Sequence, residues 1–124
     1  GVCYYAVSDL FKLVADTHDF ESRYVDRLVG VLPEASALFR ERSPVFHAGR
    51  IEAPLAIFQG ADDEVVPRNQ AEAIVEALSE AGVACTYRLY EDEGHGFRKQ
   101  ETVADFFQTI DAFLRRYVLK SLNT

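Results

Sequence analysis

The sequence predicts an α/β fold with about three parallel strands and helices on both faces. Two observations carry this. Short apolar runs at residues 2–7, 54–58 and 85–90 alternate with longer stretches whose apolar residues recur at helical spacing. Glycine or proline stands at most of the joints between them. Such alternation joins parallel strands through crossovers that lay helices above and below the sheet.

Each element has its own signal. Residues 2–7 are continuously apolar, the pattern of a parallel strand covered on both faces. Ser8-Asp9 offers a helix cap, and Leu10, Leu13 and Val14 follow at helical spacing. Residues 17–20 break that pattern. Residues 21–29 put Tyr24, Val25, Leu28 and Val29 on one helical face, and Gly30 suits the stop. Pro33 opens a further short helix with Ala35, Leu38 and Phe39 inward. Ser43-Pro44 ends it, because the residue before proline avoids helical geometry. Residues 54–58 form the second strand. Pro67 suits a first helical turn, and the helix runs through Ala71, Ile74, Val75 and Leu78 to Gly82. Residues 85–90 alternate as a third strand. From Glu101 to about Leu119, Val103, Phe106, Phe107, Ile110, Phe113, Leu114 and Tyr117 form a broad apolar stripe.

Composition narrows the function. The 124 residues make one domain or less, and 48% hydrophobic content is enough for a packed core. Thirteen basic and twenty acidic residues leave a formal charge of −7, which argues against a nucleic-acid partner. No apolar run approaches the ~20 residues needed to span a bilayer. Cys3 and Cys85 read as small buried hydrophobes, and His18, His47 and His95 lack metal-ligand spacing, so neither a metal nor a cofactor is expected. The chain opens directly in a strand and contains no Met, as expected of a piece of a larger protein. The first strand would present an apolar edge suited to self-association.

The residues that carry chemistry follow strands. Asp63 lies five residues past Phe58, and His95 five past Tyr90. Both therefore fall at the carboxyl ends of strands, where doubly wound sheets gather their functional groups. Gly94 and Gly96 flank His95 and allow a tight turn close to other loops. An imidazole titrates near pH ~6.5 and so transfers protons near neutrality. Taken alone, Gly-His-Gly is a surface turn and Asp62-Asp63-Glu64 a solvated loop. Together, in this order and each after a strand, Asp63 and His95 read as the second and third members of a Ser…Asp…His triad. The spacing Gly60-x-x-Asp63-x-x-Val66-Pro67 selects Asp63, leaving Asp62 and Glu64 to solvent. No Gly-x-Ser-x-Gly occurs. Ser8 follows a strand but lacks flanking glycines, Ser43 reads as a helix terminator, and Cys3 sits at the wrong strand end. Tyr4 and Tyr5 read as core aromatics, with a place beside a substrate pocket left open.

The chain resembles the C-terminal part of the prolyl oligopeptidase family, on its acylaminoacyl-peptidase-like and dipeptidyl-peptidase-like branch. Ser43-Pro44-Val45-Phe46-His47-Ala48, Ile51-Glu52-Ala53-Pro54-Leu55, Gln59-Gly60 through Val66-Pro67, and Gly94-His95-Gly96-Phe97 carry the likeness. Tyr5 to Leu10 and Phe20 to Tyr24 add to it. The resemblance implies a partial α/β-hydrolase fold, with residues 1–124 as the C-terminal portion of a catalytic domain lacking its nucleophile turn. It implies that Asp63 orients and His95 acts as general base, that short or N-blocked peptides are the substrates, and that both oxyanion donors lie on a missing N-terminal part. The isolated chain is then expected to be inert, and its compartment the cytoplasm. Two alternatives stand beside this. One is a non-catalytic module that self-associates through its first strand. The other is a piece of an esterase or dienelactone-hydrolase-like enzyme.

Overall fold

A computed structural model describes residues 1–16 and 19–119. One parallel sheet runs in the order β1 (Val2–Tyr4), β2 (Leu55–Gly60), β3 (Cys85–Tyr90). Val2 lies opposite Ala56 and Tyr4 opposite Phe58, while β3 pairs with β2 from Leu55–Cys85 to Gly60–Tyr90. Residues 56–60 of the central strand are all buried, because helices cover both of its faces. On one face Ile57 packs with Ala48 and with Ala71, Ile74 and Leu78 of α4 (Asn69–Glu80). On the other, Ala56 and Phe58 meet Phe113 of α5 (Gln100–Tyr117), with Phe106, Ile110 and Tyr117 around them.

Several expected boundaries move. The first strand stops at Tyr4 instead of Val7, because Tyr5 takes a left-handed φ of 40° that no strand continues. Its N–H still reaches the Phe58 carbonyl at 2.8 Å, the last bond of the β1–β2 ladder. Helix α1 spans Leu10–Asp16, and α2 spans Asp19–Leu28, so the expected break is narrower; Thr17 and His18 lie outside the described residues. On α2, Val25 is buried while Tyr24 and Leu28 are exposed, so the expected apolar face is only partly covered. The third helix begins at Ser36, not Pro33, and runs to Arg42, with Phe39 fully buried. Ser43-Pro44 ends it, and a 3-10 helix unmarked by the apolar spacing occupies Pro44–Arg50. Helix α4 starts two residues after Pro67, which accepts the Gln70 N–H at 3.0 Å. Gly82, at φ 73°, turns the chain after it. On α5 the stripe is narrower than expected, since Phe107 and Leu114 face outward. Cys3 and Cys85 are free thiols and only partly buried; desolvation pushes the Cys85 thiol up.

One buried polar network ties the chain after β1 to α4. The Gln70 side chain is fully buried and its Oε1 accepts the N–H groups of Ser8 at 2.9 Å and Asp9 at 2.8 Å. Its Nε2 donates to the Asp9 carbonyl at 2.9 Å. These groups would otherwise be buried without partners, at a cost of about 1–3 kcal/mol each. The network fixes where the chain goes after it leaves β1.

Candidate active site

The loop after β2 is built to hold one carboxylate. Gln59, fully buried at the end of the strand, donates through Nε2 to the Gly60 carbonyl at 3.2 Å and the Val66 carbonyl at 2.9 Å. That bridge closes the loop between them. Inside it, Asp63 Oδ1 accepts the N–H groups of Val65 at 2.9 Å and Val66 at 2.8 Å. The Asp63 side chain has no exposed surface, whereas Asp62 and Glu64 face solvent. Short polar side chains favour such turns because they satisfy amides two and three residues on.

The loop after β3 is held in a similar way. Glu93 is 3% exposed, and its Oε2 accepts the N–H groups of Arg98 at 2.9 Å and Lys99 at 3.3 Å. Between those points Gly94 and Gly96 pair across His95, and Gly96 sits at φ 114°, open to glycine at no steric cost. The two loops meet back to back. Ala61 N–H donates to the Tyr90 carbonyl at 2.9 Å, and Asp62 N–H to the Glu93 carbonyl at 2.9 Å. Gly60 lies at the contact. A Cβ there would stand 2.5 Å from the Glu93 carbonyl oxygen and would also collide with that of Gly94.

This docking brings the two predicted residues together. His95 Nδ1 lies 2.9 Å from Asp63 Oδ2. An ionised carboxylate only accepts, so in the neutral ring Nδ1 carries the proton and Nε2 keeps its lone pair. The His95 side chain is 36% exposed, while its carboxylate partner is buried. An imidazole oriented in this way can take a proton from a hydroxyl brought to within ~3 Å and pass it on. The groove beside it is lined by Asp62, Glu64, Asp92, Gly96 and Arg98.

An aromatic group backs the His95 loop. Phe97 packs edge-on against Tyr90 at 5.0 Å and Tyr5 at 5.6 Å. Tyr90 donates its hydroxyl to Asp105 Oδ2 at 2.7 Å; desolvation first, then that hydrogen bond, pushes its phenol well above the ordinary range. Tyr5 lies with its ring centre 4.5 Å from that of His95. It is therefore more than the core aromatic the sequence suggests.

The other candidates are engaged elsewhere. Ser8 Oγ is buried and donates to the Gln70 carbonyl at 2.5 Å. Ser43 Oγ, also buried, donates to the Phe39 carbonyl at 2.7 Å and accepts from Leu10 N–H at 2.9 Å. His47 Nε2 donates to the Glu41 carbonyl at 2.9 Å at the end of the third helix, Ser36–Arg42. Among the described residues no three His, Cys, Asp or Glu side chains group as a metal site. No helix among them is long and apolar enough to cross a membrane. Sequence reasoning missed Gln59, Glu93 and Gln70. The one visible signal was a glutamine inside an otherwise apolar strand.

Comparison with known proteins assigns this architecture. A solved structure of a Mycobacterium tuberculosis puromycin-hydrolyzing peptidase superposes with TM-score 0.91 at 38% identity, over 94% of this chain and 18% of that one. A Pyrococcus horikoshii acylaminoacyl peptidase superposes with TM-score 0.85 at 19% identity, a likeness of fold alone. Dipeptidyl peptidase family member 6 of Caenorhabditis elegans is 36% identical over 109 residues, which is 87% of this chain and 13% of the worm protein. Dipeptidyl aminopeptidase BIII of Pseudoxanthomonas mexicana is 40% identical over 74 residues, 60% of this chain and 11% of that protein. The fold is part of an α/β-hydrolase of the peptidase type, and the chain spans a small fraction of each relative. The sequence profile of the prolyl oligopeptidase family matches residues 1–121, and the chain belongs to that family.

Proposed function

We propose that this chain is the C-terminal portion of a serine peptidase catalytic domain and supplies its Asp and His. Asp63 orients and His95 is the general base toward a serine on a segment outside these residues. The single observation behind this is the 2.9 Å bond from His95 Nδ1 to a buried carboxylate, which leaves the Nε2 lone pair as the ring's remaining proton acceptor. Kinship with proteins named as dipeptidyl and puromycin-hydrolyzing peptidases supports short peptides as substrates. N-blocked peptides belong to the same proposal, on the resemblance of the sequence motifs alone. Membership of a peptidase family favours this reading over an esterase or dienelactone-hydrolase-like one. The cytoplasm fits two free thiols.

A fluorophosphonate probe tests the division of labour. The 124-residue chain is expected to stay unlabelled, because Ser8 and Ser43 hold their hydroxyls in buried bonds to carbonyls. A longer protein containing this chain and an upstream Gly-x-Ser-x-Gly is expected to label stoichiometrically. Labelling of the short chain would refute the proposal.

A second reading draws on β1, whose outer edge has no strand beside it among the described residues and whose Tyr4 is 49% exposed. Such an edge templates pairing with another strand. We expect the isolated chain to self-associate in light scattering. A strict monomer over a wide concentration range would remove this reading and leave the peptidase proposal untouched.

A further inference from the structure

We propose that Tyr5 is a positioning residue for His95: its ring fixes the plane of the imidazole, while Asp63 fixes one nitrogen. The proposal rests on reading His95 as a proton-transfer group.

One hydrogen bond does not orient a ring. The bond to Asp63 Oδ2 locates Nδ1 but leaves the imidazole free to swing about the Nδ1–Oδ2 line. The direction of Nε2, which would face the nucleophile, depends on what stops that swing. Gly94 and Gly96 carry no side chains to do so. Among the described residues, the aromatic ring packed against the imidazole is Tyr5, with centres 4.5 Å apart and planes tilted by 51°.

Tyr5 is itself held firmly. Its ring packs edge-on against Tyr4 at 4.9 Å and Phe97 at 5.6 Å. Its N–H is bonded to the Phe58 carbonyl at 2.8 Å. Its φ of 40° lies in the left-handed region that a bulky residue enters only at a steric cost. Such strain persists where the surroundings over-determine it, and it concentrates at functional sites. Here the turn ends β1 at the rim of the sheet, with the ring against His95. An aromatic wall also suits a group that alternates between neutral and cationic forms, since a π face accepts a cation as readily as an apolar neighbour.

Proton NMR of the 124-residue chain, with ¹⁵N in the histidine rings, tests this. The wild type is expected to give a low-field His95 Nδ1 proton and a nuclear Overhauser contact between the Tyr5 and His95 rings. Tyr5→Phe keeps the ring and is expected to retain the low-field signal. Tyr5→Asn removes the ring with a residue that tolerates left-handed backbone. It is expected to lose the signal to exchange with water, while the amide resonances of β2 and β3 stay in place. A purely structural role for Tyr5 would move those amides and leave the low-field proton. Tyr5→Asn keeping a sharp low-field proton would overturn the proposal and spare the Asp63–His95 reading. So would a wild type with that proton but no contact between the two rings. This last measurement decides the matter even if the Asn variant fails to fold. A wild type lacking the low-field proton would overturn both.

Discussion

If the proposed peptidase is right, replacing His95 with alanine is expected to lower the kcat of the longer protein by about 10⁶-fold. On that proposal the variant removes the general base and leaves nothing to take the nucleophile's proton. Asp63→Asn is expected to cost less, about 10⁴-fold. The amide oxygen of Asn can still accept the Val65 and Val66 N–H groups that now meet Oδ1. Its NH₂ would then stand where Oδ2 meets His95 Nδ1. Two donors would face each other, so the imidazole would shift its proton to Nε2 and the base would be lost in the wrong tautomer. Steady-state kinetics of both variants, with KM measured alongside, checks the argument. Full activity in His95→Ala would end the catalytic reading. Full activity in Asp63→Asn would remove the orienting role alone.

Gly60→Ala is expected to have the next largest effect. The added Cβ would lie 2.5 Å from the Glu93 carbonyl oxygen, with the Gly94 carbonyl also in its way. Both obstacles are backbone, so no side chain can swing aside. The Glu93 carbonyl is also the acceptor for Asp62 N–H, so pushing it away strains the junction of the Asp63 and His95 loops. Overpacking of this kind costs about 1–3 kcal/mol of stability. The displacement falls between the two residues that must meet, and a shift of ~1 Å at such a site costs about 10²-fold in rate. Urea unfolding and kcat, measured together, should register both losses. Gly82→Ala is the control. Gly82 has a left-handed φ of 73° but open space around it, so alanine there should cost about 1–2 kcal/mol and leave the rate unchanged. Equal rates in the two variants would show that the Gly60 contact does not set the site.

Much of the fold was legible because it is periodic. Ala71, Ile74 and Leu78 recur at helical spacing and are buried on α4 as that spacing requires. The apolar run at residues 54–58 announced the second strand, which is buried. The misreadings share a different cause. Residues 2–7 look uniformly apolar, and nothing local says that Tyr5 turns left-handed; no Gly or Asn marks the place. On α5, Phe107 and Leu114 extend the stripe in sequence, but α5 meets β2 along a narrower seam, so those two side chains are exposed. The Pro44–Arg50 segment has three residues per turn and no 3.6-residue pattern to find. For the site, the order of Asp63 and His95 after successive strands was readable. Their supports were not. Gln59 and Glu93 act within seven residues but on main-chain groups, which leave no side-chain pattern to read. Gln70, which sets the path after β1, meets partners 61 and 62 residues away, and no short window of sequence contains both ends of such a bond.

Within its own loop Asp63 is gripped by main-chain amides, both of them on Oδ1. At the exposed positions 64 and 65 substitution is therefore filtered by stereochemistry more than by residue type. Position 66 is buried and stays apolar, while exposed positions 64 and 65 are free to drift among side chains of differing size and polarity, provided 65 and 66 keep an amide hydrogen. An imino acid at either would strip one hydrogen from the cradle, and the oxygen facing the histidine would lose its anchor though no functional group had been touched.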